Sequence, residues 1–157
     1  MSFGDLSIGA IIGATCWELI KQTLSYFVRK KESDSIAKKA AVRKEIETLK
    51  DQIFDVYEKS LDYYSLASTS SDATALSRKI KNKLKICGQR ISSIENALRR
   101  AGLPDIERGK WIYFRISTTE NLDVTRHAPW SDDDPRYSNL HGSFNKLQIH
   151  LTEAYDS

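Results

Sequence analysis

The sequence predicts an all-α protein, an antiparallel helical bundle of four to five helices built around a long central helical hairpin. Three observations carry that prediction. Apolar residues recur at alternating four- and three-residue steps along 35–67 and again along 72–101. The polar stretch "STSSD" separates the two runs, which is the arrangement of two helices folded back on each other through a short loop. The one strand-like run, "KWIYFRIS" at 110–117, has no second run to pair with, and an isolated strand would leave its backbone groups unpaired. The 157 residues suffice to bury a core without disulfides or metal. They are expected to form one helical-bundle domain: an apolar to amphipathic N-terminal helix over 1–31, the hairpin over 35–101, and a short helix, loop and C-terminal helix over 105–157. No internal repeat is visible.

The first helix is expected from about Asp5 to Lys31. Nothing from Leu6 to Trp17 is charged, and in the second half Trp17, Ile20, Leu24 and Phe27 recur at helical spacing among Glu18, Lys21 and Gln22. "RKKESDS" then interrupts the apolar pattern, so a break is expected there, with Ser33 or Ser35 capping the next helix. That second helix, about Ser35 to Ala67, carries Val42, Ile46, Leu49, Ile53, Val56/Tyr57, Leu61 and Tyr64 as its seam. The third, about Asp72 to Ala101 with Asp72 or Ser71 as cap, carries Leu76, Ile80, Leu84, Cys87, Ile91, Ile94 and Leu98. Gly102 followed by Pro104 ends it. A short helix over the "KWIYFRIS" run, an irregular connection from Thr118 to Ser131, and a last helix to about Ala154 complete the chain. In the last, Asp134 is the cap, Pro135 sits in the first turn, and Tyr137, Leu140, Phe144, Leu147 and Leu151 form the stripe.

Composition sets bounds on function. Hydrophobic content of 40% and charged content of 29% are those of a globular protein. Cys16 and Cys87 lie far apart among apolar helical neighbours with no metal-binding spacing, which fits buried thiols in a reducing compartment. The net charge of +3 is unevenly placed. Arg78 to Arg100 holds eight bases against Glu95 alone, whereas Glu120 to Ser157 holds seven acids against three bases. Asp5 precedes the apolar run and an amphipathic stretch follows it, so the N-terminus does not read as a secretory signal.

No residues ask for catalysis. His141 and His150 are nine apart on different helix sides, His127 stands alone, and no metalloprotease, phosphate-loop, dinucleotide or nucleophile-elbow motif occurs. Asp132 to Asp134 suit a helix N-terminus, where they complement the dipole. Glu45 and Glu47 lie on different sides of their helix. The expectation is no enzyme, no cofactor and no metal. Nucleic acid is not the expected partner either, because residues 78–100 contain no aromatic for stacking. Lys79, Lys81, Lys83 and Lys85, spaced by two, spread around their helix. They read as a solvated face or as contacts to anionic lipid.

The first helix carries the functional question. Leu6, Ala10, Gly13, Trp17, Ile20, Leu24 and Phe27 would serve as one packing stripe, leaving Ile8, Ile11 and Ile12 on other faces. Covering each is worth roughly 1.5–3 kcal/mol, a drive toward lipid or another protein. Gly9 and Gly13 form a GxxxG with Ala10 and Ala14 beside them, a spacing that lets two helix backbones approach closely. Residues Leu6 to Trp17 span about 18 Å, short of the ~30 Å hydrocarbon core. Extension to Val28 carries Glu18 and Lys21 into lipid and would leave Arg29, Lys30 and Lys31 on the cytoplasmic side. A single span, a helix buried in the bundle or an oligomer, and conditional insertion all remain open at this point.

"SFGDLSIGAIIGATCWELIKQTLSYF", residues 2–27, resembles the start of the powdery-mildew-resistance type of coiled-coil domain in plant immunity, and of the related HeLo-like and MLKL-type bundles. The resemblance covers those residues and the order of helices. It implies a glycine-containing apolar helix ahead of a four-helix bundle that oligomerises and whose first helices permeabilise membrane. The acidic residues of the family's first helix match, at most, Asp5 and Glu18. The expected function is therefore a non-enzymatic, membrane-associating, homo-oligomeric bundle of the cell-death or defence type, cytoplasmic and membrane-associated with the bundle on the cytoplasmic side. Ile8, Ile11, Ile12 and Trp17 would contact lipid, Gly9 and Gly13 would form the helix–helix interface, and Lys79, Lys81, Lys83 and Lys85 would meet anionic headgroups. The alternative is a soluble interaction adaptor or immunity-type bundle that buries the first helix in its own core or in a partner.

Overall fold

Val42 is the first residue of the seam to be buried, and from there the four–three spacing runs unbroken through Ile46, Leu49, Ile53 and Val56, each wholly inaccessible except Val42. In the computed structural model this seam belongs to α1, Gly4–Ser65, followed by α2, Ser71–Ala101, α3, Arg108–Thr119, and α4, Pro135–Asp156. The structure describes residues 4–66, 70–120, 122, 129–131 and 133–156, with side chains described outside 4–20 and 155–156. Among the described residues the fold is all-α, with four helices and no strand. The described chain divides into two compact units, Met1–Lys38 and Lys39–Ser157.

One expected boundary is absent. Residues 32–35 are helical, so the expected first and second helices are a single α1. "RKKESDS" interrupts the apolar pattern but holds no glycine or proline. Its Arg, Lys and Glu are good helix formers, and Ser and Asp cost only tenths of a kcal/mol, up to about 0.7, each in a helix interior. Loss of an apolar stripe removes a helix from a core; it does not end the helix.

In the second unit the helices alternate direction, each packed antiparallel to the next. Asp55 and Glu45 of α1 pair with Lys83 and Arg90 of α2, so numbers rise along one helix as they fall along the other. Glu95 and Gly88 of α2 meet Arg108 and Trp111 of α3 in the same sense. Phe114 of α3 lies against Phe144 of α4. The ring closes where Tyr57 and Lys50 of α1 meet His141 and Thr152 of α4. The core holds the buried residues of all four helices, among them Tyr64, Leu98, Phe114 and Leu147.

Local chemistry sets the ends. The Ser70 hydroxyl accepts the Ala73 N–H at 3.0 Å, so α2 is capped one residue earlier than expected. Gly102 adopts φ +69°, the left-handed conformation that a Cβ disfavours, and lets its N–H reach Arg99 O while Leu103 N–H reaches Leu98 O at 3.0 Å. This doubly bonded C-terminus is the stop that the Gly102–Pro104 pair predicts. At α4, Asp134 Oδ1 accepts the Arg136 N–H at 2.9 Å with Pro135 in the first turn, as expected.

Candidate interaction surface

Every residue from Lys21 to Ala41 is exposed. Within the first unit, Leu24, Phe27 and Val28 stand at i, i+3 and i+4 on one side of α1, and each is between 55% and 61% exposed. Tyr26 packs edge-on against Phe27 with ring centroids 5.9 Å apart, and Ile36 is also exposed. Arg29, Lys30 and Lys31 follow directly, so an uncovered apolar stripe passes into a basic turn. From Lys21 to Lys44 the sequence holds eight bases against two acids, Glu32 and Asp34. A helix with a short exposed apolar stripe running into a stretch rich in Lys and Arg suits the boundary between acyl chains and headgroups, or the groove of a partner protein.

Ile8, Gly9, Ile11, Ile12, Gly13 and Trp17 fall within α1 by backbone, and their side chains lie outside the described residues. Lys79, Lys81 and Lys85 are exposed on α2. Lys83 is turned to α1, where its Nζ lies 2.6 Å from Asp55 Oδ2 and Lys59 approaches the same carboxylate. The two ammonium groups hold the Asp55 carboxyl below its ordinary value against the opposing effect of burial. Lys83 is thus a fastening between α1 and α2, and the four lysines do not share one face. Among the described residues, no helix is long and apolar enough to cross a membrane.

The polar residues given no structural role in the sequence reading hold the bundle together. Glu95, 3% exposed, receives two hydrogen bonds from the Arg108 guanidinium, Nε to Oε1 at 2.7 Å and Nη2 to Oε2. Those bonds hold the Glu95 carboxyl below the usual range although burial works the other way. His141 Nδ1 and the Tyr57 hydroxyl lie 2.8 Å apart, and Asn145 bonds the other ring nitrogen at 3.0 Å. His150 Nε2 accepts the Glu107 backbone N–H at 2.7 Å.

The connection between α3 and α4 is tied to the end of α1. Trp130 stacks on Tyr64 with centroids 3.6 Å apart and planes 6° apart, and the Trp130 backbone N–H donates to the Tyr64 carbonyl O at 2.9 Å. The Arg136 guanidinium lies 5.0 Å above the same indole, and the Tyr64 hydroxyl donates to Thr118 O at 2.7 Å. Spacing within one helix does not reveal such partners, since each joins separate elements. Cys87 is buried, which pushes its thiol up to about 11 and leaves it protonated at neutral pH.

No family model, curated protein or solved structure matches the chain.

Proposed function

We propose that this chain is a non-enzymatic, membrane-associating helical bundle of the cell-death or defence type, in which the N-terminal helix enters the lipid interface and oligomerisation disrupts the membrane. The observation that carries the reading is the uncovered stripe of Leu24, Phe27 and Val28 on a helix that continues into Arg29, Lys30 and Lys31. Upstream, the uncharged run from Leu6 to Trp17 would extend the apolar surface. Ile8, Ile11, Ile12 and Trp17 would sit among acyl chains, while Gly9 and Gly13 would bring two such helices together. Lys79, Lys81 and Lys85 would meet anionic headgroups. The basic residues would be cytoplasmic, where anionic lipid attracts Lys and Arg at about 1 kcal/mol each. An in-plane helix, with its apolar side in the acyl boundary, accommodates Lys21 and Glu18 more cheaply than a span would.

The test is flotation of the full chain with phosphatidylcholine vesicles, with and without phosphatidylserine, alongside the variant Leu24→Glu/Phe27→Glu. Both positions are exposed, so the variant keeps the fold. Each apolar side chain is worth roughly 1.5–3 kcal/mol when covered, so partitioning should fall a hundredfold or more. Full-length protein that stays off both vesicle types, or a variant that floats as well as the parent, would overturn the lipid reading in favour of a soluble interaction partner.

A further inference from the structure

We propose that His150 is a pH-sensitive latch that holds the first turn of α3 on α4 while its imidazole is neutral and releases that turn on protonation. The first turn of any helix leaves N–H groups without an intrahelical acceptor. Here Glu107, the residue that opens α3, has extended backbone angles and no side-chain cap. His150 of α4 supplies the missing acceptor: its Nε2 receives the Glu107 N–H at 2.7 Å, which places the ring proton on Nδ1. Protonation makes both ring nitrogens donors, so that hydrogen bond cannot survive. It also places a cation at the positive end of the α3 dipole.

The charged groups facing the ring are Lys110 and Glu107 from α3 and Glu153 from α4. Glu107 and Lys110 are themselves paired at 3.1 Å. Burial and Lys110 disfavour the imidazolium, outweighing Glu107 and Glu153, so the ring titrates below the ordinary histidine range. The unfolded chain therefore binds the proton first as pH falls. The latch contributes fully above the unfolded histidine pKa of roughly 6.5 and is lost as pH drops through the lower folded value.

A second fastening, Glu95 to Arg108, joins the same turn to α2, and its carboxylate stays ionised through this window. Acidification is thus expected to open the His150 contact to α4 while the Glu95–Arg108 pair to α2 stays closed. The latch is independent of any lipid contact.

The experiment follows the thermal midpoint of the full chain from pH 7.5 to 5.0 for the parent, His150→Gln and the control His141→Gln. A glutamine oxygen can accept the same N–H without titrating. The parent and the His141 variant should lose roughly 2–4 °C over that window relative to His150→Gln. Parallel loss in all three would overturn the latch. An NMR titration of the parent provides a check that does not depend on the variant. The His150 ring and the Glu107 amide should shift together at a midpoint below that of an unfolded histidine, whereas a normal midpoint or an unmoved Glu107 amide would refute the proposal.

Discussion

Gly88 lies in the middle of α2, where glycine costs roughly 0.8–1.0 kcal/mol relative to alanine. The reason to keep it would be close approach of α3. A Cβ built at Gly88 comes 3.7 Å from Trp111 Cζ2 and 3.9 Å from Nε1, ordinary van der Waals contact and no closer. Gly88→Ala should therefore keep most of the propensity gain and add a contact to the indole. That is about 1 kcal/mol of stabilisation, or a rise in thermal midpoint of roughly 3 °C. Gly88→Leu has no such room: atoms beyond Cβ must displace the Trp111 ring, and overpacking of this kind costs roughly 1–3 kcal/mol. Urea unfolding followed by circular dichroism at 222 nm measures both variants. A destabilised Gly88→Ala would show that α2 and α3 sit closer than 3.7 Å allows. A neutral Gly88→Leu would show that Trp111 is not fixed against this turn.

Gly102→Ala should lose about 1–2 kcal/mol in the same unfolding assay, because alanine must adopt φ +69° to keep both C-terminal hydrogen bonds. Tyr64→Phe removes the hydroxyl bond to Thr118 O and leaves the indole stack in place, so a loss of roughly 1 kcal/mol is expected from chemical denaturation. Glu95 contributes stability above its unfolded carboxylate range, and the contribution disappears as pH falls through its lowered folded value. Arg108→Ala should accordingly move the acid-unfolding midpoint to higher pH, and an unchanged midpoint would deny the pair that role. Cys87 should resist Ellman's reagent in the native state at pH 8 and react once the chain is unfolded in guanidinium.

The hairpin was legible because its information is local: a four–three spacing names the buried positions, and Ile46, Leu49, Ile53 and Ile80 to Leu98 occupy them. Ser60 shows where that reading stops. It sits in the seam between Val56 and Tyr63, wholly buried, because its hydroxyl donates to Val56 O at 2.7 Å and so leaves no polar group unpaired. A reading of apolar spacing passes over it and assigns Leu61, which is only partly buried. Glu95 escaped for a related reason, since its burial depends on Arg108 thirteen residues away across the α2–α3 turn. The amphipathic pattern around Leu24 and Phe27 was visible, but periodicity marks an apolar side without stating what covers it. The expected lipid and glycine contacts at residues 8–17 lie outside the described side chains.

The chain has three tryptophans, and their placement divides the molecule spectroscopically. Trp111 is buried in α3 near Gly88, Trp130 is stacked between the Tyr64 ring and the Arg136 guanidinium, and Trp17 belongs to the first unit. Paired Trp→Phe replacements would leave one emitter at a time. Trp111 would report separation of α2 from α3, Trp130 the release of the final connection from the end of α1, and Trp17 the surroundings of the N-terminal helix. A blue shift confined to Trp17 on adding vesicles would distinguish entry of that helix into lipid from loosening of the bundle, without any attached label.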